Sequence, residues 1–428
     1  MQLFPPSRAA VRERIAAISP STYARTRNAL DGAVTRLSPY LTHGFVSLPE
    51  VATQLAQQHR LSYADKLIFE FAWREFFAHV RTHSPHPGDI LSDMRPALLP
   101  REAYASELPA DIREGRSGVP CIDASVRELY QTGYLHNHAR MWLASYCVHL
   151  RKVHWRVAAD WLYAHLLDGD LASNHLSWQW VASTFSAKPY LFNADNVAKY
   201  APQSEWKRWH SPRTAIDQSY EALEDLARSS RRVGAEPGLH QPVAEPALLR
   251  GFDPDFLKCF EQFAGIKPAH SAIDLIVSKL SQLAPGACVE LVTPWSMSER
   301  STDADQPAPF RIGIVHAAAH QHLPWSEQRW RFVLTRLQDV CDALWIGDVA
   351  QLSALPNWPA KQRVSAQASL YEGYRDILPR IAELSPIPKL FVQPQRICHS
   401  FSKFYEQAQR GERDFSQLLL LPTQASLL

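Results

Sequence analysis

Residues 161–193 read WLYAHLLDGDLASNHLSWQWVASTFSAKPYLFN, and the reading of this stretch decides the rest. Asp168-Gly169-Asp170 sets two carboxylates around a glycine, which makes a tight acidic turn. Asn174 lies four residues past Asp170 and Trp178 four past that, so the three share one face if the segment is helical. Trp180, Ser183 and Thr184 follow. Two acids and two large aromatics so close together suit a binding site. They equally suit a capped helix that packs with its tryptophans.

Composition bounds what such a site can serve. At 428 residues and 48.5 kDa the chain has room for two domains, each with a core of its own. Hydrophobic content of 46% and charged content of 21% describe a soluble globular protein, not a disordered one. A formal charge of +2 excludes a strongly basic nucleic-acid binder, although a local basic face remains compatible. The six cysteines (Cys121, Cys147, Cys259, Cys288, Cys341, Cys398) form no CxxC pair, so no metal site is expected, and they fit a reducing compartment. The start, MQLFPPSRAAVRER, lacks the apolar segment of a secretory signal, and no run reaches membrane-spanning length. A cytoplasmic, soluble protein with no membrane partner is expected.

Upstream of the acidic turn the pattern is helix after helix. Pro5-Pro6 opens a helix from about Ser7 to Ile18, and Ser19-Pro20-Ser21 restarts the chain. Thr35 and Ser38 flank Arg36 beside a proline-limited helix start, a donor set suited to phosphate; Ser38 can instead simply cap the helix ahead of Pro39. The segment Ala64 to Val80 is apolar almost all round and so predicts a buried helix, with Glu70 in its middle. A buried carboxylate has to be paired or neutralised, and such acids are frequent at functional sites. A helix from about Ile122 to Gln131 ends at Thr132-Gly133. His136-Asn137-His138 then leads into a helix reaching about Leu150, on which Asn137 and Met141 are one turn apart. The His-Asn-His run lacks a matching ligand cluster, so a metal reading has little support.

Residues 229–246, with Arg231-Arg232 and three prolines, read as a linker between a helical domain over 1–228 and an α/β domain over 247–428. Strands are expected at Val289–Val292, Arg311–Val315, Ala343–Ile346 and Lys389–Val392. Helices are expected over Ser326–Leu337, capped by Ser326, and over Leu370–Leu384. Their alternation predicts a small parallel sheet. No glycine-rich loop follows any of these strands, so a dinucleotide site there is unsupported. His316 and His320 lack a third ligand and are expected to be exposed polar residues. The fold class is thus mainly α first, then a smaller α/β domain.

Several separate motifs occur in a specific order: TRLSPYLTHG (35–44), WREFF (73–77), SGVPCIDASVREL (117–129), TGYLHNHARM (132–141) and DGDLASNHLSWQW (168–180). Together they resemble the FAD-binding helical domain of the photolyase/cryptochrome family over about residues 20 to 200. The resemblance implies FAD as cofactor, with Tyr23, Thr35, Arg36, Leu37 and Ser38 around its diphosphate. It also implies Asp168 paired with Arg140, Asp170 on the isoalloxazine edge and Asn174 at flavin N5. Glu70, Trp73, Asn137, Met141 and Trp180 match the pocket for a cyclobutane pyrimidine dimer. Trp178 and Trp155 match the inner two members of a tryptophan electron-transfer chain. The outer position, near Glu102, has no tryptophan; Tyr104 is nearest. His138 stands where repairing members carry an arginine that contacts phosphate. The implied activity is light-driven repair of such dimers in damaged DNA by electron transfer from reduced flavin. A photosensor signalling to a protein partner is the alternative. A second, antenna chromophore is left unassigned.

Overall fold

Ser7, Ser19, Ser47 and Ser219 each stand one residue ahead of a helix, and each accepts a backbone N–H from the first turn. These caps, with prolines at the first positions, punctuate the helical half in this computed structural model, which describes residues 3–84, 89–202, 204–236, 241–251, 269–284, 286–300 and 308–409, and positions 255, 258, 415 and 419. The helices are α1 (Arg8–Ala16), α2 (Pro20–Thr26), α3 (Ser38–Thr42), α4 (Leu48–Ala56), α5 (Lys66–His83), α6 (Ala110–Arg113), α7 (Pro120–Thr132), α8 (Asn137–Ser145), α9 (Trp155–His165), α10 (Leu171–Ala182), α11 (Ala194–Tyr200) and α12 (Tyr220–Arg228). Gly133 closes α7 with φ +68°, the left-handed conformation that glycine adopts without steric cost.

The second half contributes β1 (Leu248–Leu249), α13 (Ala269–Ser281), β2 (Val289–Val292), β3 (Phe310–His316), β4 (Trp325–Ser326), α14 (Glu327–Val340), β5 (Ala343–Gly347), β6 (Val364–Gln367), α15 (Tyr374–Ile381), β7 (Glu383–Ser385) and α16 (Phe401–Ala408). Five strands form one parallel sheet in the order β5-β3-β2-β6-β7. The order reverses between β2 and β6, which makes their carboxyl ends the switch point of a doubly wound sheet. β3 is buried at every position, as a central parallel strand is.

Three expectations for this half are corrected. The helix expected over Leu370–Leu384 spans only Tyr374–Ile381, and Leu384 lies in strand β7. Lys389–Val392 is not a strand: the N–H groups of Leu390 and Phe391 donate to the Glu75 carboxylate on α5 (2.6 and 3.2 Å), not to a ladder. His316 and His320 are buried, not exposed, at 8% and 2%. His320 is packed edge-on among Trp325, Trp330 and Tyr374.

One apolar cluster runs from Phe4, Tyr40, Ile68 and Phe76 on to Trp325, Phe332 and Phe404, so the two halves share a core. A second cluster, around Trp142, Trp155 and Trp178, belongs to the helical half alone. The linker stretch hydrogen-bonds along the helical half. Val233 N donates to Leu150 O and Val243 N to Glu114 O, both at 2.9 Å. Glu245 pairs with His165 and Arg113 at 3.0 Å each.

Candidate functional site

The acidic turn joins α9 to α10. Asp170 is the N-cap of α10, its Oδ1 accepting from Ser173 N at 2.8 Å. Asp168 takes no part in capping. Its carboxylate accepts from Arg140 Nη2 at 2.7 and 3.0 Å and from Ser38 Oγ at 2.5 Å. The Asp168 side chain is 3% exposed and Arg140 keeps 26%. Burial works against the charged guanidinium, but Asp168 overrides it and holds the Arg140 pKa above its ordinary value. Ser38 is therefore not the cap of α3: Leu37 holds that position, and the Ser38 hydroxyl is spent on Asp168. Arg36, just before, is exposed with φ +50°, a strained conformation for a residue with a side chain.

Asn174 donates its Nδ2 to Ala159 O at 2.9 Å, and its Oδ1 receives no hydrogen bond among the described residues. The amide thus presents a bare acceptor. Asn137 is exposed at the start of α8 and reaches Met141 Sδ at 3.4 Å. Glu70 faces Arg27 of α2's C-cap at 3.6 Å, its side chain 40% exposed, so α5 is not buried all round as its sequence suggested. Burial raises the Glu70 pKa, against the pull of Arg27. Tyr23 lies near enough to Glu70 and Arg27 to feel both charges. Trp180 is 39% exposed, an unusual state for an indole, whereas Trp178 and Trp155 are at 2% and 3%. The Trp155 Nε1 donates to Asp93 at 2.6 Å. Trp73 is stacked face to face by Phe401 of α16.

Sequence reading missed the groups that come from far along the chain. Tyr371, in the loop after β6, donates its hydroxyl to Asp170 Oδ2 at 3.2 Å and stacks on Trp295 at 3.7 Å. Burial pushes the Asp170 pKa up, but Arg74, Ser173 and Arg81 together hold it below the ordinary value. His138 is no substitute cation. Its ring lies 4.2 Å from that of Tyr200, and burial, with His136 and Arg27 nearby, lowers its pKa to about 4. A cavity of about 910 Å³ opens between the halves at the β2/β6 switch point, lined by Arg74, Arg81, Asp170, Trp295, Tyr371 and Lys389 among others. It is lined by none of Glu70, Asn137, Met141 and Trp180. Among the described residues no group of His, Cys, Asp or Glu could hold a metal ion, and no helix is long and apolar enough to cross a membrane.

Residues 67–225 match the family described as the FAD binding domain of DNA photolyase. This part of the chain is similar to the FAD-binding domain of photolyases and cryptochromes. The deoxyribodipyrimidine photo-lyase of Thermus thermophilus is 35% identical over 216 residues, 49% of this chain and 51% of that protein. The enzyme of the same name from Escherichia coli is 34% identical over 185 residues, 41% of this chain and 38% of that one. A chloroplastic/mitochondrial cryptochrome DASH of Ostreococcus tauri is 30% identical over 232 residues, 52% and 42% of the two chains. Among solved structures, a Synechocystis cryptochrome superposes with a TM-score of 0.41 at 27% identity, covering 47% of this chain and 44% of that one. The chain spans about half the length of the curated relatives it matches.

The residues present suit a flavin. Arg140, held by the buried Asp168 and with no hydrogen bond to its Nη1 among the described residues, offers a donor of the kind an imide edge needs, and Asn174 offers its bare carbonyl oxygen to an N–H. FAD is the cofactor of this domain.

Proposed function

We propose that the chain carries out light-driven, FAD-dependent repair of cyclobutane pyrimidine dimers in DNA. Bound FAD, once reduced, supplies the electron on illumination. The residues of the chain do the rest. Asp168, Arg140, Ser38, Asp170 and Asn174 hold and orient the cofactor, with Tyr23 and Thr35 to Leu37 near its diphosphate. Trp180 and Trp73 receive the extruded bases, whose unstacking cost is offset by new stacking. Glu70 hydrogen-bonds the dimer, with Arg27 behind its carboxyl at 3.6 Å. Asn137 and Met141 fill the remaining wall. Trp178 and Trp155 serve the route by which the cofactor is reduced.

The observation that carries this reading is Trp180, a large indole left 39% exposed beside a cofactor domain. The test is to illuminate the reduced protein with an oligonucleotide containing one thymine dimer and follow recovery of intact thymine. Recovery that depends on light is expected. None, with FAD bound and reducible, overturns the proposal.

A second reading, a photosensor acting on a protein partner, draws on one observation: Phe401 already occupies one face of Trp73. The neutral His138 also removes a permanent phosphate contact.

A further inference from the structure

The α/β half reaches the acidic turn through one buried charge. Arg329, in the first turn of α14, is fully buried. Its side chain crosses into the helical half, where Nη1 donates to Tyr163 O at 2.9 Å and Nη2 to Gly169 O at 2.6 Å. The guanidinium lies over the rings of Trp325 at 3.9 Å and Tyr163 at 4.7 Å. No carboxylate among the described residues pairs with it within salt-bridge distance. Desolvating a cation to bind two carbonyls is costly, so an arginine kept here for stability alone would be a poor choice. The two carbonyls decide the matter. One is in the last turn of α9, where a cation complements the helix dipole. The other is the middle residue of Asp168-Gly169-Asp170.

Gly169 follows from the same contact: a Cβ there would collide with the Arg329 guanidinium and with Tyr163 O. The turn is thus gripped at each residue. Asp168 is held by Arg140 and Ser38, Gly169 by Arg329, and Asp170 by Ser173 N and by the Tyr371 hydroxyl. Two of these grips, Arg329 and Tyr371, come from the α/β half. A third tie lies alongside, where the His43 ring bridges Leu167 O at 2.9 Å and Pro294 O at 2.6 Å.

We propose that Arg329 and Tyr371 are positioning residues for the cofactor site, so that flavin binding by the helical half depends on the α/β half behind it. The inference rests on the reading of the Asp168–Asp170 turn as part of the flavin site.

The test uses the full chain with FAD itself as probe. FAD affinity is measured by flavin fluorescence, the visible circular dichroism of bound flavin is recorded, and the flavin-free proteins are melted in parallel. R329M should raise the Kd for FAD about 10-fold or more, with R329K recovering part of the loss. Y371F removes a single hydroxyl. It should fold as the parent does, raise the Kd several-fold and alter the visible dichroism, which a change in stability alone would not do. If R329M does not fold, Y371F and R329K decide. Parent-like Kd and dichroism in the folded variants overturn the inference while leaving the flavin reading intact. A parent chain that takes up no FAD overturns both.

Discussion

Phe401 lies flat against Trp73, with ring centroids 4.0 Å apart and planes 7° from parallel. Phe69 and Phe76 pack against the same phenyl ring. One face of the indole is therefore closed by helix α16, and a base in the pocket has the other face or must displace Phe401. Displacement is the costlier route: Phe401 is buried and packed by Phe69, Phe76 and Tyr405, so moving it forfeits about 1.5–3 kcal/mol of burial as well as the stack, against about 1–3 for a base stacked on an aromatic. Phe401→Leu keeps the core apolar while freeing the ring. It should tighten binding of a dimer-containing oligonucleotide several-fold in a fluorescence anisotropy titration. Unchanged affinity would mean that the bases never use the covered face.

Trp180 should matter to binding and little to folding. It belongs to neither the shared core nor the helical-half core, and among the described residues its nearest ring is Tyr190 at 5.8 Å. Trp180→Ala should weaken binding of the damaged oligonucleotide by roughly 10-fold or more, the equivalent of one lost base stack. The melting temperature should fall by only a few degrees. Parent-like binding would remove Trp180 from the substrate surface.

The helical half was legible because its signals are local. Pro5-Pro6 and Ser19-Pro20 at helix starts, Thr132-Gly133 at the end of α7, and the one-face spacing of Asp170, Asn174 and Trp178 can all be read within a dozen residues. The central strands β2, β3 and β5 stood out as short apolar runs. β6, Val-Ser-Ala-Gln, and β7, three exposed residues, carry no such run and were missed. Lys389–Val392 has the composition of a strand, and only the distant Glu75 shows why it is none. The same limit applies to the site. Arg140 and Asp168 could be paired in advance through motifs, but Phe401, Tyr371 and Arg329 meet the pocket across more than 150 residues of chain. No local pattern marks them.

Acid should destabilise the protein well above the range of ordinary carboxylates. Burial lowers the His136 and His138 pKa values from 6.5 to about 4. Between those values the unfolded chain binds protons that the folded chain does not, so stability falls as pH drops from 6.5 towards 4 and is fully present above 6.5. His138→Gln should flatten the dependence of melting temperature on pH in that window. A parent and variant with identical slopes would show that the His138 ring is protonated in the fold.

Glu75 should be worth more than any surface acid. Its carboxylate, 3% exposed, accepts from Leu390 N, Phe391 N and Gln393 Nε2 at 2.6, 3.2 and 2.8 Å. Burial nonetheless raises its pKa, with Lys389 and these donors pulling the other way. Glu75→Ala orphans three donors and should cost about 3 kcal/mol or more in denaturant unfolding, with Glu75→Gln in between. A loss below about 1 kcal/mol would mean that the 389–393 segment finds other acceptors.

The two buried tryptophans and the exposed one should separate cleanly in photoreduction. Trp178 and Trp155 share the helical-half core, and the Trp155 indole N–H is tied to Asp93, a carboxylate able to accept its proton when the ring loses an electron. A shallow cavity of about 350 Å³ reaches Trp155 from outside and is also lined by Asp93, Tyr104 and His154. An external thiol could therefore replenish Trp155 where a third tryptophan is lacking. Trp178→Phe and Trp155→Phe should each slow light-driven reduction of bound FAD by at least an order of magnitude, followed by absorbance in the presence of thiol. Flavin content should stay at the parent level. Trp180→Phe should leave the rate alone, because that ring faces solvent. A Trp178→Phe protein that photoreduces at the parent rate would move the electron route elsewhere, and Tyr371, bonded to Asp170 and open to the larger cavity, would be the next residue to replace.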